Sequence, residues 1–133
     1  MSKTISSSIS ATLTLTSGYN PLSITSSGTV SGAPVGIYGS AGTAWYIINQ
    51  GTVAAQGTNT DGPSAGIQFK QGGTVTNSGY ITGYGDGIYV SGTAGTVTNA
   101  GTITGSASLA LSGIGVDLQA GGDRKRIISG GQR

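Results

Sequence analysis

The sequence predicts an all-β protein: a single-stranded parallel β-helix (β-solenoid) of about five rungs, each of three short strands, with an N-terminal cap. Three observations predict it. A glycine-centred motif recurs along the chain. Each copy of the motif carries three short stretches in which apolar and polar residues alternate. The composition leaves little room for helix, because 26 of the 133 residues are Gly and charged residues make up only 8%.

The repeat is plainest in "GTVTNSGYITG" (73–83) and "GTVTNAGTITG" (95–105). With the Gly of "TVTNxG" as the anchor, copies fall at Gly28, Gly51, Gly79 and Gly101, and weakly at Gly131. A second motif follows each of the first four, beginning at Gly36, Gly66, Gly87 and Gly115. The spacing between the two motifs varies, so the length differences fall in one loop. That loop is long in "QGTNTDGPSA" and "SASLALSGI".

Each copy supplies three alternating segments, such as T-V-T, T-I-T and G-I-Y-V. Alternation at period two marks a strand with one buried face. Gly, Asn and Ser fill the gaps and turn the chain at little steric cost. Counting back from the anchors gives a first buried column of Ile24, Ile47, Val75, Val97 and Ile127. The second is Val30, Val53, Ile81 and Ile103. The third is Ile37, Ile67, Ile88 and Val116, followed by Phe69, Val90 and Leu118. Nearly all are β-branched, as strands favour. Asn49, Asn77 and Asn99 share one corner. They are expected either to form a side-chain ladder or to supply a tolerated turn conformation.

The ends differ from the middle. Residues 1–22 break the repeat and are expected to form a cap strand and turn, with Leu13 and Leu15 on one face of "ATLTLTS". Residues 23–133 form the solenoid. Its last rung, begun by "RIISGGQR", is expected to be incomplete and to expose an open edge.

Composition also restricts function. The chain has no Cys and no His, which removes disulfides, thiolate or imidazole metal sites, and the usual triad bases. The net charge of +2 is uneven. Residues 123–133 carry Arg124, Lys125, Arg126 and Arg133 against Asp123, so the basic character is terminal. A nucleic-acid surface needs a broader stripe, and no nucleic-acid partner is expected. Neither a secretory signal nor a stretch of transmembrane length is visible, so no membrane insertion of this chain is expected.

The chain has no Glu, and its four Asp include Asp86 and Asp117 about one rung apart. Solvated or turn-forming roles outweigh catalysis or cation binding for these two, so no catalytic, metal or cofactor site is expected. Tyr38 and Tyr89 share an outward column and, with Arg126, Ile127 and Ile128 at the open edge, form a candidate assembly or ligand surface. Thr pairs at 74/76, 96/98 and 102/104 resemble the arrays of ice-binding solenoids. Thr is also simply a good exposed strand residue.

The two quoted repeats, with "IISGGQR", resemble the passenger regions of bacterial autotransporter and β-strand-repeat adhesins. That resemblance implies a right-handed coil, export to the cell surface or beyond, and a structural or adhesive role without enzymatic activity. Two forms are expected. One is a self-assembling filament subunit that joins end to end through the open edge. The other is the N-terminal part of a long adhesin that meets a host or cell-surface glycan or protein. The alternative from another class is a glycan-binding or glycan-cleaving β-helix.

Overall fold

The computed structural model describes residues 2–56, 64–105, 114–120 and 123–128. Its chain winds as a parallel β-helix of five coils, each giving one strand to each of three sheets. Coil 1 holds β1 (Lys3–Ile5), β2 (Ser8–Ile9) and β3 (Leu13–Thr14). Coil 2 holds β4 (Leu22–Ile24), β5 (Thr29–Gly32) and β6 (Ile37–Gly39). Coil 3 holds β7 (Trp45–Asn49), β8 (Thr52–Ala55) and β9 (Ile67–Phe69). Coil 4 holds β10 (Gly73–Asn77), β11 (Tyr80–Gly83) and β12 (Ile88–Val90). Coil 5 holds β13 (Gly95–Asn99), β14 (Thr102–Gly105) and β15 (Ile114–Ala120). A last strand, β16 (Asp123–Ile128), lies antiparallel to β15.

The second and third inward columns run as the alternation predicts, each extended downward by one member. In the second sheet Ile9, Val30, Val53, Ile81 and Ile103 stack in register. In the third sheet Leu13, Ile37, Ile67, Ile88 and Val116 do the same. Val30, Val53, Ile37, Ile67, Ile81 and Ile88 are fully buried. Each inward side chain rests on like neighbours about 4.8 Å above and below, so the core is one continuous apolar column per sheet.

The first column departs from expectation at both ends. Ile47, Val75 and Val97 are in register, but Leu22 sits beneath Ile47 where Ile24 was expected. Ile24 instead lies beneath Asn49 and above Ile5, two residues along the strand. The cause is the corner. In coils 3, 4 and 5 the anchor Gly follows its Asn by two residues. In coil 2 Ile24 is followed by "TSSG", and the turn closes through Gly28 N–H donating to Thr25 O at 2.9 Å. That corner is two residues longer, so counting back from Gly28 slips the register by two.

Ile127 does not begin a sixth rung. Its backbone pairs with Val116 in the third sheet as the chain doubles back. The sequence between the two strands is Gly-Gly, which two-residue hairpins favour. At the other end, residues 3–14 are not a cap strand and turn. They place one strand in each sheet and are the first coil, so the pairing shows no division at residue 22.

Candidate functional site

Two corners govern how one coil sits on the next. At the corner between the first and second sheets, Gly28, Gly51, Gly79 and Gly101 stack. A Cβ on Gly51, Gly79 or Gly101 would collide with the carbonyl oxygen of the glycine one coil below, and on Gly28 with Ile5 O. Backbone thus touches backbone, and any side chain there would lever the coils apart. The contact brings Tyr80 N–H to Gly51 O at 2.9 Å and Thr102 N–H to Gly79 O at 3.0 Å.

The asparagines line the same corner. Asn49 Nδ2 donates to Asn77 Oδ1 at 2.8 Å, and Asn77 Nδ2 donates to Asn99 Oδ1 at 2.8 Å. Each Oδ1 also accepts the N–H of the glycine two residues on, at 3.2, 3.2 and 3.1 Å. Asn49 and Asn77 are buried, and their Nδ2 groups also reach Tyr80 O and Thr102 O in the coil above. Ile5 and Ile24 occupy the same column, so the backbone there tolerates a β-branched residue. Asn is present for its side-chain bonds, which give the corner's N–H and C=O groups partners there. The ladder has a direction, with the Asn49 and Asn77 amides both donating upward. Asn99 is exposed, and among the described residues its Nδ2 donates only to Gly101 O, at 3.1 Å.

The second corner, between the third sheet and the next coil of the first, is filled by exchanging large and small residues. Trp45 lies against Gly39, Phe69 against Gly73, and Val90 against Gly95. Trp45 is buried and donates Nε1–H to Ser40 O at 2.9 Å. Sequence reading missed this exchange because its signal is a size anticorrelation between residues four to six apart, not a repeated letter.

The expected surface residues fare differently. Tyr38 and Tyr89 do share an outward column, with Gln68 between them, but both are half-buried and Gln68 is 7% exposed. The tyrosines flank a buried amide, which suits packing. The exposed aromatics are Tyr46, Tyr80 and Tyr84. Arg126, Ile127 and Ile128 lie on β16, paired to β15, and their side chains fall outside the described residues.

Asp86 is buried, and its backbone oxygen accepts Gly66 N–H at 3.2 Å. Asp117 pairs with Tyr89, in a different column from Asp86. Among the described residues no group of three or more acidic, His or Cys side chains could hold a metal ion. Residues 57–63 and 106–113, the greater part of the two long loops, lie outside the described residues, Asp61 and "ASLAL" among them.

Thr74, Thr76, Thr96 and Thr98 form a two-by-two array on the first sheet, bordered below by Tyr46 and Ile48. Thr102 and Thr104 belong to the second sheet instead, where Thr104 Oγ1 donates to Thr82 Oγ1 at 3.0 Å. The array is therefore split between two faces.

Comparison of the chain with protein-family models, with curated proteins and with solved structures finds no match.

Proposed function

We propose that this chain is a non-enzymatic structural or adhesive β-solenoid of a bacterial surface or its exterior, a rod that supplies length and a repetitive face. The supporting observation is the unbroken register of five coils, a shape roughly 24 Å tall with Ser and Thr recurring at outward positions of its first and second sheets. The resemblance of "GTVTNSGYITG" and "GTVTNAGTITG" to adhesin passenger repeats points the same way.

Of the two forms this role can take, the chemistry of the ends favours a segment of a longer rod over an end-stacked filament. Stacking coil 1 of one copy on coil 5 of another sets three mismatches side by side. Lys3, in the inward column of Leu22, would lie over Val97. Ile5 would lie over Asn99 and leave its amide unanswered. Ser7, whose carbonyl accepts Thr29 N–H as Gly28 O accepts Thr52 N–H, would put a Cβ where each anchor glycine touches backbone. A lysine on an edge strand is also a common guard against strand addition.

Multi-angle light scattering with negative-stain microscopy tests this form. A monodisperse monomer at micromolar concentration is expected, and long uniform filaments would overturn it. Detection of the chain by surface labelling of intact source cells tests the exterior placement, and labelling only after lysis would refute it. The exposed Tyr80 and Tyr84, beside Thr82 and Thr104, support a second reading as a glycan-binding face. A glycan array answers it: saturable binding lost in Tyr80→Ala would favour this reading, and a blank array would remove it.

A further inference from the structure

The upper edges of β13 and β14 have no strand beyond them among the described residues, whereas β15 is covered by β16. Inward side chains register the difference. Val97 is half-buried where Val75 beneath it is fully buried.

Hydrogen-bonding groups at this edge repeat a pattern that lower coils use to receive their neighbours. Asn77 O accepts Ala100 N–H at 2.8 Å, and Gly79 O accepts Thr102 N–H at 3.0 Å. Asn77 Nδ2 at the same time donates to Asn99 Oδ1. One coil higher, the matching groups are Asn99 O, Gly101 O and Asn99 Nδ2. Together they present two backbone acceptors and one side-chain donor in fixed spacing.

Resting on the structural reading above, we infer that this edge docks an added parallel strand of a particular chemistry: Val/Ile-x-Asn-x-Gly-x-Val/Ile. Each requirement has its own cause. The Asn must accept from Asn99 Nδ2. The Gly must lack a Cβ, because Gly101 O occupies that space, as Gly79 O does beneath Gly101. The flanking β-branched residues cover Val97 and Ile103. Coil 4, "GTVTNSGYITG", satisfies all of these. Coil 1, "KTISSSI", satisfies neither the Asn nor the Gly requirement. The occupant is therefore another polypeptide segment or coil bearing the Asn-x-Gly corner, joined by β-augmentation.

The test uses a fluorescein-labelled peptide copying residues 73–83 and the full 133-residue protein, read by anisotropy. Saturable binding is expected. The peptide with Asn77→Ile should bind about tenfold more weakly, and the one with Gly79→Ala should not bind. The protein variant Asn99→Ile should also bind the unaltered peptide about tenfold more weakly, yet regain part of the loss with the Asn77→Ile peptide, because Ile5 and Ile24 already pair in this column. No saturable binding, or equal affinity for all three peptides, overturns the inference. A cooperative β-sheet melt by circular dichroism, recorded in parallel, separates the two failures. An intact melt without binding sinks the docking edge alone, and the absence of any such melt sinks the rod itself.

Discussion

Replacing Asn77 tests whether the asparagine column is a ladder or a set of independent turns. Asn77 is 1% exposed. Its side chain accepts from Asn49 Nδ2 and Gly79 N–H, and donates to Asn99 Oδ1, Thr102 O and Gly79 O. In Asn77→Ala no neighbour is wholly orphaned. Asn49 Nδ2 keeps Gly51 O and Tyr80 O, and Gly79 N–H keeps Asn49 O at 3.3 Å. The loss is then three good hydrogen bonds at about 1 kcal/mol each, or about 3 kcal/mol. Asn77→Ile makes the same loss but buries a β-branched side chain, which offsets about 1.5 kcal/mol. Position decides the rest. Asn49→Ile removes one inter-asparagine bond and lengthens the apolar run of Ile5 and Ile24, so it should cost less than Asn77→Ile. Asn99→Ile, at an exposed site, should cost least. Urea unfolding followed by circular dichroism measures the order, with shifts in midpoint at constant slope. Equal costs at all three positions would refute the ladder and return each Asn to a local turn role.

Three further substitutions probe the corners. Gly79→Ala should destabilise by more than about 3 kcal/mol, since its Cβ would meet Gly51 O, a backbone atom that cannot turn aside as a side chain would. Gly42→Ala should cost only about 1 kcal/mol, from its φ of +99° alone, because no atom lies within 4 Å. Gly95→Ala places a Cβ 2.8 Å from Val90 Cγ1, so a double-mutant cycle with Val90→Ala should show a favourable coupling of about 1 kcal/mol. Additive effects would show that the two residues do not share that corner.

Much of the fold was legible because burial here follows period two without interruption. Val30, Val53, Ile81 and Ile103 could be aligned by eye, since every β14-like segment follows its glycine at the same distance. The first column was legible only where the corner has constant length. At Ile24 two added residues moved the register, and no local letter announced it. Coil 1 was hidden for a related reason. "ISSSIS" has no glycine, and among the described residues no strand lies beneath it to demand one. Ile127 was misread because "RII" alternates no differently in a parallel coil and in a hairpin; the preceding Gly-Gly was the available clue. Of the candidate surface, Tyr38 and Tyr89 were placed in the right column, but alternation cannot show that their neighbour Gln68 is buried between them. The ladder's upward direction was beyond reach of the sequence, since it depends on which amide atom faces which coil.

Paired cysteines test the stacking register most directly, and the chain's lack of Cys makes the background clean. Ser23 and Ile48 are register neighbours on the outward face, about 4.8 Å apart across the sheet and within disulfide reach. Under mild oxidation Ser23→Cys/Ile48→Cys should cross-link within one molecule, and Thr25→Cys/Ile48→Cys should not. The reverse outcome would mean that coils are set by counting from the glycines, and the ladder register described here would be wrong.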